Sequence, residues 1–580
     1  MSHTQQWDAG QSDAQQSDTQ RSGQEQWDQV VDVVVIGSGA AGLAAATMAA
    51  DGGSSVVVLE RADRVGGTTG VSGGMPWVPL NRHMADVDVS DSREEALAYI
   101  RRLTVDREPS ADLVETYVDN AWRAIDYLED HTPVRFSAPP MFADYYADVP
   151  GGKPCGRSIE PLPFPAAAEL GSWAALVRSS PIMPRLTMEE GGRYLAYGEA
   201  PDLDLVARRE GEDIRVLGSA LAAALLKGVL DRGVAVRTGV RARELVSRGD
   251  VIVGVRAEVG DEPLSVGARR GVVLACGGFE WNAQMVQAFI GHALEPLSPP
   301  GNEGDGHVMA MQAGAVLANM WTYWGQPAML DPAVTYEGRP ALQFSTGRNL
   351  PGSIIVNKRG ERFVNEGASY QDMPRAFGTY DPVAIGYPNE APVWMVFDHR
   401  LRESTMILSL VPGGPVPEWV VSAPTVGGLA QKIDVDPGAL QRTLDRFNIH
   451  AAHGEDPDFH RGTLWWEAFM SGGPSAEKCV GPVEQAPFYA VQIHDGTLGT
   501  QGGPLVDQHA RVLRYRGGVV EGLYAAGNAS ACVFGPAYPG GGATLGPALT
   551  FGYLAGRHAA TRAAQALGES MVGTTNGGRS

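Results

Sequence analysis

The chain has 580 residues, of which 44% are hydrophobic and 19% are charged, so it is long enough for two or three domains with a large core. Its formal net charge of −21 disfavours nucleic acid as a partner, because the phosphates would be repelled. No CxxC pair and no apolar run of roughly 20 residues occurs, so we expect no metal site, no disulfide framework and a cytoplasmic protein with at most loose, peripheral membrane association.

The first 29 residues are rich in Gln, Ser and Asp and contain "QWD" twice. They lack the basic start and the apolar middle of a signal peptide. We therefore interpret residues 1–29 as a disordered N-terminal tail.

The next segment has the composition of a nucleotide-binding unit. Residues 30–36, "VVDVVVI", form an apolar β-branched run that predicts a buried parallel strand. This run leads into "GSGAAG", whose glycines have GxGxxG spacing, then into a helical segment and a second strand that ends in Glu60. Glycines allow a tight turn and close approach of a pyrophosphate, and the acid can hold ribose hydroxyls. The order of these parts predicts dinucleotide binding.

Three further glycine-ended segments favour FAD over NAD as the cofactor. A glycine and hydroxyl cluster lies within residues 66–74, and strands that run into glycines are predicted in residues 271–279 and 522–530. Several such segments converging on one ligand suit FAD, because its isoalloxazine ring needs support far from its adenine. The return of the chain to its first domain near the C-terminus also suits FAD enzymes.

Four stretches together resemble the 3-ketosteroid Δ1-dehydrogenases, which belong to the fumarate-reductase-like flavoproteins. They are "GGTTGVSGGMPWVP", "ADYYADVPGGKPCGRSIEP", "LPGSIIVNKRGERFVNEGASY" and "YPGGGATLGPALTFGYLAG". The resemblance implies an α/β fold with a Rossmann-like FAD-binding domain formed by residues 30–320 and 500–580, into which an α+β catalytic domain, residues 321–499, is inserted. Residues 165–213 look like the variable excursion of longer family members, and no chemistry is assigned to them.

The resemblance also implies the reaction. Family members remove a proton from C2 and a hydride from C1 of the steroid A ring, and the hydride passes to flavin N5. No second dinucleotide fingerprint of similar completeness is present, so the sequence does not point to NAD(P)H, and the resemblance implies a quinone or another small molecule as the electron acceptor. The cofactor-binding residues implied by the fingerprint and the resemblance are Gly37, Gly39, Ala40, Ala41, Gly42, Glu60, Arg61, Gly67, Thr68, Thr69, Ser72, Gly73, Gly74, Val240, Gly277, Gly278, Gly527, Asn528, Gly542, Thr544 and Leu545.

The chemistry points to the stretch "YPGGGATLGP". Acidifying a C–H next to a ketone requires stabilisation of charge on the ketone oxygen, and each good donor contributes roughly 3 kcal/mol. The hydroxyl of Tyr538 and the backbone N–H of Gly542 can be these donors, with a predicted helix N-terminus just beyond them. The family often has "YPGPG" here, and the missing proline loosens the backbone without removing a donor.

By resemblance, Tyr370 is the base and Tyr145 is the tyrosine that supports it. Ionising a phenol with a pKa near 10 costs about 4 kcal/mol at pH 7, and we expect a hydrogen bond from Tyr145 to lower that cost. Tyr146 is the alternative to Tyr145, because a slip of one residue exchanges them.

Three other functions are considered. A 3-ketosteroid Δ4-(5α)-dehydrogenase shares the fold and the pair of donors to the ketone oxygen, here called the ketone clamp. It generally lacks the tyrosine at the position of Tyr145. A fumarate-type reductase needs arginine and histidine clamps, and tyrosines stand in their place here. A non-catalytic flavin-binding or steroid-carrying protein would not need the tyrosines.

Overall fold

The computed structural model describes residues 26–197, 199–471 and 479–567, without the side chains of residues 194–197 and 468–469. Residues 1–25 of the predicted tail therefore lie outside the described residues. Within the described part of the chain, no helix is long and apolar enough to cross a membrane.

The described residues form the following strands and helices. The strands are β1 (Gln29–Ile36), β2 (Val56–Leu59), β3 (Phe136–Ser137), β4 (Glu160–Pro161), β5 (Phe164–Pro165), β6 (Ile214–Arg215), β7 (Ala235–Arg237), β8 (Val240–Arg248), β9 (Val251–Val259), β10 (Glu262–Leu274), β11 (Glu295–Pro296), β12 (Leu317–Ala318), β13 (Tyr323–Tyr336), β14 (Arg339–Phe344), β15 (Ser353–Val356), β16 (Val393–Phe397), β17 (Val421–Ala423), β18 (Phe488–Thr500), β19 (Gly503–Pro504), β20 (Arg511–Leu513) and β21 (Val519–Ala525). The helices are α1 (Ala40–Asp51), α2 (Arg93–Thr104), α3 (Ala111–His131), α4 (Ala166–Leu170), α5 (Met188–Tyr197), α6 (Leu203–Gly211), α7 (Leu217–Asp231), α8 (Ala283–Phe289), α9 (Asp305–Gln312), α10 (His399–Ser404), α11 (Val426–Lys432), α12 (Pro437–Ala451), α13 (Trp465–Met470) and α14 (Leu545–Thr561).

The first sheet joins the two ends of the chain. Its order is β20-β21-β9-β10-β1-β2-β7, with β8 paired to β9. Strand β1 lies between β10 and β2 and runs parallel to both. The last four residues of β1 are buried, as an apolar strand inside a parallel sheet must be. The carboxyl ends of β1, β10 and the C-terminal strand β21 thus lie side by side.

Helix α14 returns the C-terminus to the first helix of the fold. A Cβ at Gly552 would lie 2.3 Å from the carbonyl oxygen of Ala41, and a Cβ at Gly556 would lie 2.2 Å from that of Ala45. These two glycines therefore allow α14 to pack directly on the backbone of α1. This contact brings the segment around Tyr538 close to the predicted nucleotide turn.

The second sheet has seven strands and is largely antiparallel. Its order is β14-β13-β18-β16-β15, with β11 and β17 also paired to β18. One buried apolar cluster lies between this sheet and the helices α11 and α12, and another involves Phe377, Phe397 and Leu401. The predicted fold class, a Rossmann-like FAD-binding domain from both chain ends with an inserted α+β domain, is confirmed.

The excursion formed by residues 165–213 contains α4, α5 and α6. It packs against the glycine and hydroxyl cluster: Val177 forms a bridge with Val65, and a Cβ at Gly70 would lie 2.9 Å from Arg178 Cβ. The guanidinium of Arg178 donates a hydrogen bond to the hydroxyl of Tyr336, at the end of β13. The excursion therefore links the first sheet domain to the second.

The end of the predicted tail needs a correction. Trp27 is only 1% exposed, and its indole packs with Val246 and Val253. The ring occupies the space over Gly254, where a Cβ would lie 2.5 Å from the indole. Strand β1 also begins at Gln29, so residues 27–29 belong to the folded domain.

Replacing Trp27 tests this correction. Trp27→Ala removes a fully buried ring, which costs about 3–5 kcal/mol and should lower the thermal unfolding temperature by about 2–4 °C in a chain of this length. Tyr515→Ala is the control, because Tyr515 is 81% exposed and its removal should change little. An unchanged unfolding temperature for Trp27→Ala, measured by calorimetry, would place Trp27 back in the tail.

Candidate active site

The glycine turn after β1 is built for close approach of backbone. Gly37 has φ +103°, and a Cβ there would lie 2.4 Å from the carbonyl oxygen of Ala275. A Cβ at Gly42 would lie 2.0 Å from the carbonyl oxygen of Gly37. Gly39 immediately precedes α1, so the backbone N–H groups of Ala40 and Ala41 form the helix N-terminus beside the turn. This geometry suits a pyrophosphate at the start of the helix.

The acid at the end of β2 lies against the same turn. Glu60 Oε2 accepts hydrogen bonds from the backbone N–H of Ser38 at 3.0 Å and from its hydroxyl at 2.6 Å. The backbone carbonyl of Glu60 accepts the N–H of Val240 at 2.9 Å. The predicted ribose-binding acid and Val240 are thus adjacent, and Ser38 is a neighbour that the motif had not singled out.

The hydroxyl cluster of residues 66–74 also meets the nucleotide turn. The Thr69 hydroxyl accepts the N–H of Ala40 at 3.1 Å. Thr68 receives a hydrogen bond from Asn302, whose amide also reaches Glu280 Oε1 at 2.6 Å. Gly67, Ser72, Gly73 and Gly74 lie in the same loop, which a short helical turn from Thr69 to Val71 shapes.

Two predicted residues have partners within the protein. Arg61 pairs with Glu303 at 2.8 Å and donates to the carbonyl oxygen of Gly301. A Cβ at Gly278 would lie 2.3 Å from the hydroxyl of Thr500. Because Gly277 and Gly278 have no side chains, the chain just after β10 can lie close to Thr500 at the end of β18. Arg61 stabilises the neighbouring loop through its contacts with Gly301 and Glu303.

A cavity lies where the C-terminal residues meet the second sheet. Its lining includes Trp324, Gln501, Gly527, Asn528 and Thr544. Gln501 is 1% exposed, its amide N–H₂ donates to Gly535, and its Oε1 has no partner among the described residues. A buried acceptor without a donor costs free energy, so a ligand with an N–H or O–H group would satisfy it. The glycine turn, Glu60 and this unpartnered buried acceptor are groups that suit FAD.

Three tyrosine hydroxyls from distant segments form one hydrogen-bonded row. Tyr145 donates to Tyr370 at 2.7 Å, and Tyr370 donates to Tyr538 at 2.9 Å. The rings of Tyr145 and Tyr538 are 4% exposed each and stack with centroids 5.5 Å apart. The structure therefore brings together the three phenols that the sequence had assigned to catalysis.

The backbone of Gly542 lies beside the last phenol. Burial raises the pKa of Tyr538, and the nearby N–H of Gly542 and hydroxyl of Thr544 oppose that rise. Helix α14 begins at Leu545, so the positive end of its dipole points toward this oxygen. The Tyr538 hydroxyl and the Gly542 N–H are thus close enough to share one ketone oxygen.

The titration of the phenols differs from the sequence expectation. Burial raises the pKa of Tyr370 well above its ordinary value, and the pKa values of Tyr145 and Tyr538 rise for the same reason. The interaction with Tyr145 adds to the rise in the pKa of Tyr370, so the expected lowering by Tyr145 is not met. All three phenols are neutral at pH 7.

Several neighbours of the phenols were missed in the sequence. Trp466 lies against Tyr145 with ring centroids 4.3 Å apart, and Trp324 meets Tyr538 edge-on at 5.3 Å. Gln371 donates to the carbonyl of Tyr323 and accepts the N–H of Gly325, which fixes the residue after Tyr370 to β13. Of these, only Gln371 could have been suspected, from its place beside the predicted base.

The two adjacent tyrosines have different hydrogen-bond partners. The hydroxyl of Tyr146 donates to the carboxylate of Asp372, not to Tyr370. Asp372 lies two residues after Tyr370, so this bond ties the same two segments together from the other side. Tyr145 is the member of the pair whose hydroxyl reaches the row.

Comparison with known proteins places this site in a family. The sequence profile of the FAD binding domain family matches residues 32–545. The 4-oxocyclohexanecarboxylate 2-dehydrogenase of Sinomonas cyclohexanicum is 38% identical over 92% of this chain and 93% of its own. The 3-oxosteroid 1-dehydrogenase of Mycobacterium tuberculosis (strain ATCC 25618 / H37Rv) is 36% identical over 92% of this chain and 99% of its own.

A solved structure gives the same relation. The 3-ketosteroid Δ1-dehydrogenase from Sterolibacterium denitrificans, in complex with 1,4-androstadiene-3,17-dione, is 33% identical to this chain. It superposes with a TM-score of 0.83 over 92% of this chain and 99% of that one.

Two neighbouring glycines test the geometry of residues 538–542, here called the Tyr538 loop. Gly542 has φ +99°, and a Cβ there would lie 2.3 Å from the carbonyl oxygen of Met75, whereas a Cβ at Gly541 would find its nearest neighbours at 3.6 Å. Gly542→Ala should therefore lose about 2–4 kcal/mol of stability and much of its bound flavin. Gly541→Ala, the matched control, should keep both, as read from thermal unfolding and flavin absorbance. Equal behaviour of the two variants would contradict the geometry.

Proposed function

The chain belongs to the FAD binding domain family, and we propose that it is a 3-ketosteroid Δ1-dehydrogenase, which introduces a double bond between C1 and C2 of the steroid A ring. It is an oxidoreductase and its cofactor is FAD. The observation that carries the proposal is the hydrogen-bonded row of Tyr145, Tyr370 and Tyr538 beside the N–H of Gly542.

Tyr538 and Gly542 hold the ketone oxygen. Tyr538 accepts the hydrogen bond from Tyr370, so it keeps its own proton to donate to a ketone. The N–H of Gly542 supplies a second donor and the start of α14 adds positive potential. Each donor stabilises the developing enolate by roughly 3 kcal/mol.

Tyr370 first loses its own proton to solvent, and Tyr145 donates a hydrogen bond to the phenolate so formed. The phenolate then takes the proton from C2 and becomes a neutral phenol again. The hydroxyls of Tyr145 and Tyr370 are 2.7 Å apart, which is hydrogen-bonding distance. Because burial raises the pKa of Tyr370, its phenolate is costly to form but is a strong base once formed. Polarisation of the ketone by Tyr538 and Gly542 acidifies the C2–H bond, so that this base can remove the proton. FAD, when bound, accepts the hydride from C1.

The indoles beside the phenols favour an apolar substrate. Trp466 and Trp324 contact Tyr145 and Tyr538, and both ring systems can pack on a steroid. A quinone or another small oxidant then takes the electrons from the enzyme. Access to such apolar molecules is consistent with peripheral association with a membrane.

A second candidate is the desaturation of a 4-oxocyclohexanecarboxylate. The 38% identity to the Sinomonas enzyme favours it. The ketone clamp and the base would do the same chemistry on a single ring, so this candidate changes the substrate and leaves the reaction class intact.

The Δ4-(5α)-dehydrogenase and the fumarate-type reductase have less support. A Δ4-(5α)-dehydrogenase is disfavoured because the Tyr145 hydroxyl lies within hydrogen-bonding distance of Tyr370. A fumarate-type reductase is disfavoured because a dicarboxylate requires cationic clamps, whereas phenols and indoles surround the Gly542 N–H.

Anaerobic addition of ring ketones tests the proposal. We expect 4-androstene-3,17-dione to bleach the flavin and to yield the 1,4-diene, and a 5α-saturated 3-ketosteroid to yield the Δ1 product. Bleaching by 4-oxocyclohexanecarboxylate alone would support the second candidate, and a Δ4 product or bleaching by succinate would support one of the others. Steroid binding without bleaching would indicate a non-catalytic protein.

The pH dependence of flavin reduction tests the base. Because burial raises the pKa of Tyr370 well above its ordinary value, its phenolate fraction grows about tenfold per pH unit at every pH below that value. Stopped-flow rate constants should therefore rise between pH 7 and 10 without a plateau. Tyr370→Phe should lower them by at least about 1,000-fold and leave the protein yellow. A plateau below pH 9, or fast reduction in the variant, would contradict the assignment.

A further inference from the structure

Beneath the Tyr538 loop lies a buried group of three charges, Asp91, Arg157 and Asp144, here called the ion triad. Arg157 Nη1 lies 2.8 Å from Asp144 Oδ2, and Arg157 Nη2 lies 2.6 Å from Asp91 Oδ1. The exposed fraction of the three side chains is between 0% and 1%. Two acids share one guanidinium in a site that water does not reach.

Two aromatic residues connect the ion triad to its surroundings. Asp144 accepts the indole N–H of Trp77 at 2.7 Å. The guanidinium of Arg157 lies over the rings of Trp77 and Tyr99, 5.5 and 5.4 Å from their centroids. A cation over an aromatic face is attracted to it, more strongly when water is excluded. Trp77 and Tyr99 are therefore held in place by the ion triad.

Both aromatic residues hold the backbone of the ketone clamp. The Tyr99 hydroxyl donates to the carbonyl oxygen of Pro539 at 2.6 Å, and the backbone N–H of Trp77 donates to the carbonyl oxygen of Gly542 at 3.0 Å. Gly540 rests on the indole, since a Cβ there would lie 2.6 Å from it. The loop of residues 538–542 thus lies directly on Trp77.

Asp144 also acts through its own backbone. It bridges to Gly540, and the N–H of the next residue, Tyr145, donates to the carbonyl oxygen of Pro539 at 3.1 Å. The segment that contains Asp144 and Tyr145 therefore carries the supporting phenol. Its contacts with Pro539 and Gly540 also position the loop that carries Tyr538.

We propose that the ion triad is a positioning device for the ketone clamp, which sets the Tyr538 hydroxyl, the Gly542 N–H and the Tyr145 hydroxyl at their working separation. This inference rests on the proposed function. Buried ion pairs contribute little net stability, because the loss of hydration offsets their attraction, so stability alone does not explain the group. An error of about 1 Å in such a site can cost about 100-fold in rate.

The charge on Asp144 makes the device sensitive to pH. Burial raises the pKa of Asp144 to about 6, against the lowering effects of Arg157, Trp77 and the Lys153 N–H. The ion pair is therefore complete above about pH 6 and is lost as the pH falls through that value. The titratable and charged groups around Asp144 are Asp91, Glu95, Tyr99, Lys153, Cys155 and Arg157.

Folding stability depends on pH in the opposite direction from the completeness of the ion pair. Because the folded pKa of Asp144 is raised, its ionisation opposes folding, and the stability of the neutral form is lost as the pH rises from about 4 to about 6. Asn at this position removes the charge but turns one of the two acceptor atoms into a donor, which must face the indole N–H of Trp77 or the N–H groups of Arg157 and Lys153. The thermal unfolding temperature of the variant at pH 8 is therefore measured together with its rate, while Arg157 keeps its bidentate contact with Asp91.

Asp144→Asn in the holoenzyme is the test. With a ketone that reduces the wild type, we expect flavin reduction about tenfold slower at pH 8, with the difference shrinking toward none below pH 6, where the wild type also carries a neutral Asp144. Trp77→Phe, which keeps a ring but removes the indole N–H, should also be slower. Glu95→Gln is the control, since the side chain of Glu95 pairs with Lys153 at 47% exposure and does not contact the loop.

Amide hydrogen exchange gives a readout that does not depend on turnover. The N–H groups of Trp77 and Tyr145 should exchange at least about tenfold faster in Asp144→Asn than in the wild type or in Glu95→Gln. Unchanged exchange, or a rate deficit that is equal at every pH, would overturn the positioning role. A wild type that no ring ketone reduces would contradict the proposed function instead, and the exchange result would still decide on the ion triad.

Discussion

The site depends on one contact: a row of three phenol hydroxyls, 2.7 and 2.9 Å apart, supplied by segments more than 150 residues from one another. Each hydroxyl has a defined partner, so each has a defined task. Tyr145 donates, Tyr370 stands between two oxygens, and Tyr538 keeps a proton free for a ketone. Separation of these segments by even one ångström would leave a buried phenol without its partner, which is costly in a site without water.

The fold exists to bring these segments together. The parallel sheet places the ends of β1, β10 and β21 side by side for the cofactor, and α14 packs on α1 through Gly552 and Gly556. The same return of the chain delivers Tyr538 and Gly542. The loop between β15 and β16 supplies Tyr370, and the next residue, Gln371, fixes that loop to β13. Cofactor binding and ketone binding therefore share one scaffold.

Much of this could be predicted from the sequence, because local patterns specify it. The glycine turn, Glu60 and the "YPGGG" stretch each act within a few residues. Asp144, Trp77 and Arg157 could not be found in this way, because their meaning lies in contacts with Pro539, Gly540 and Gly542, far along the chain. The rise in the pKa of Tyr370 could not be predicted for a related reason: the sequence shows neither the burial of this phenol, which is the largest cause, nor the geometry in which Tyr145 adds to the rise.

The central claim is that the three phenols and the Gly542 N–H surround one enolising ketone. A crystal structure of the FAD-loaded protein with a bound 1,4-diene-3-ketosteroid tests it most directly. The ketone oxygen should lie about 3 Å from both the Tyr538 hydroxyl and the Gly542 nitrogen, with C2 within about 3.5 Å of the Tyr370 hydroxyl. A ketone oxygen bound elsewhere, with these hydroxyls turned away from the steroid A ring, would contradict it.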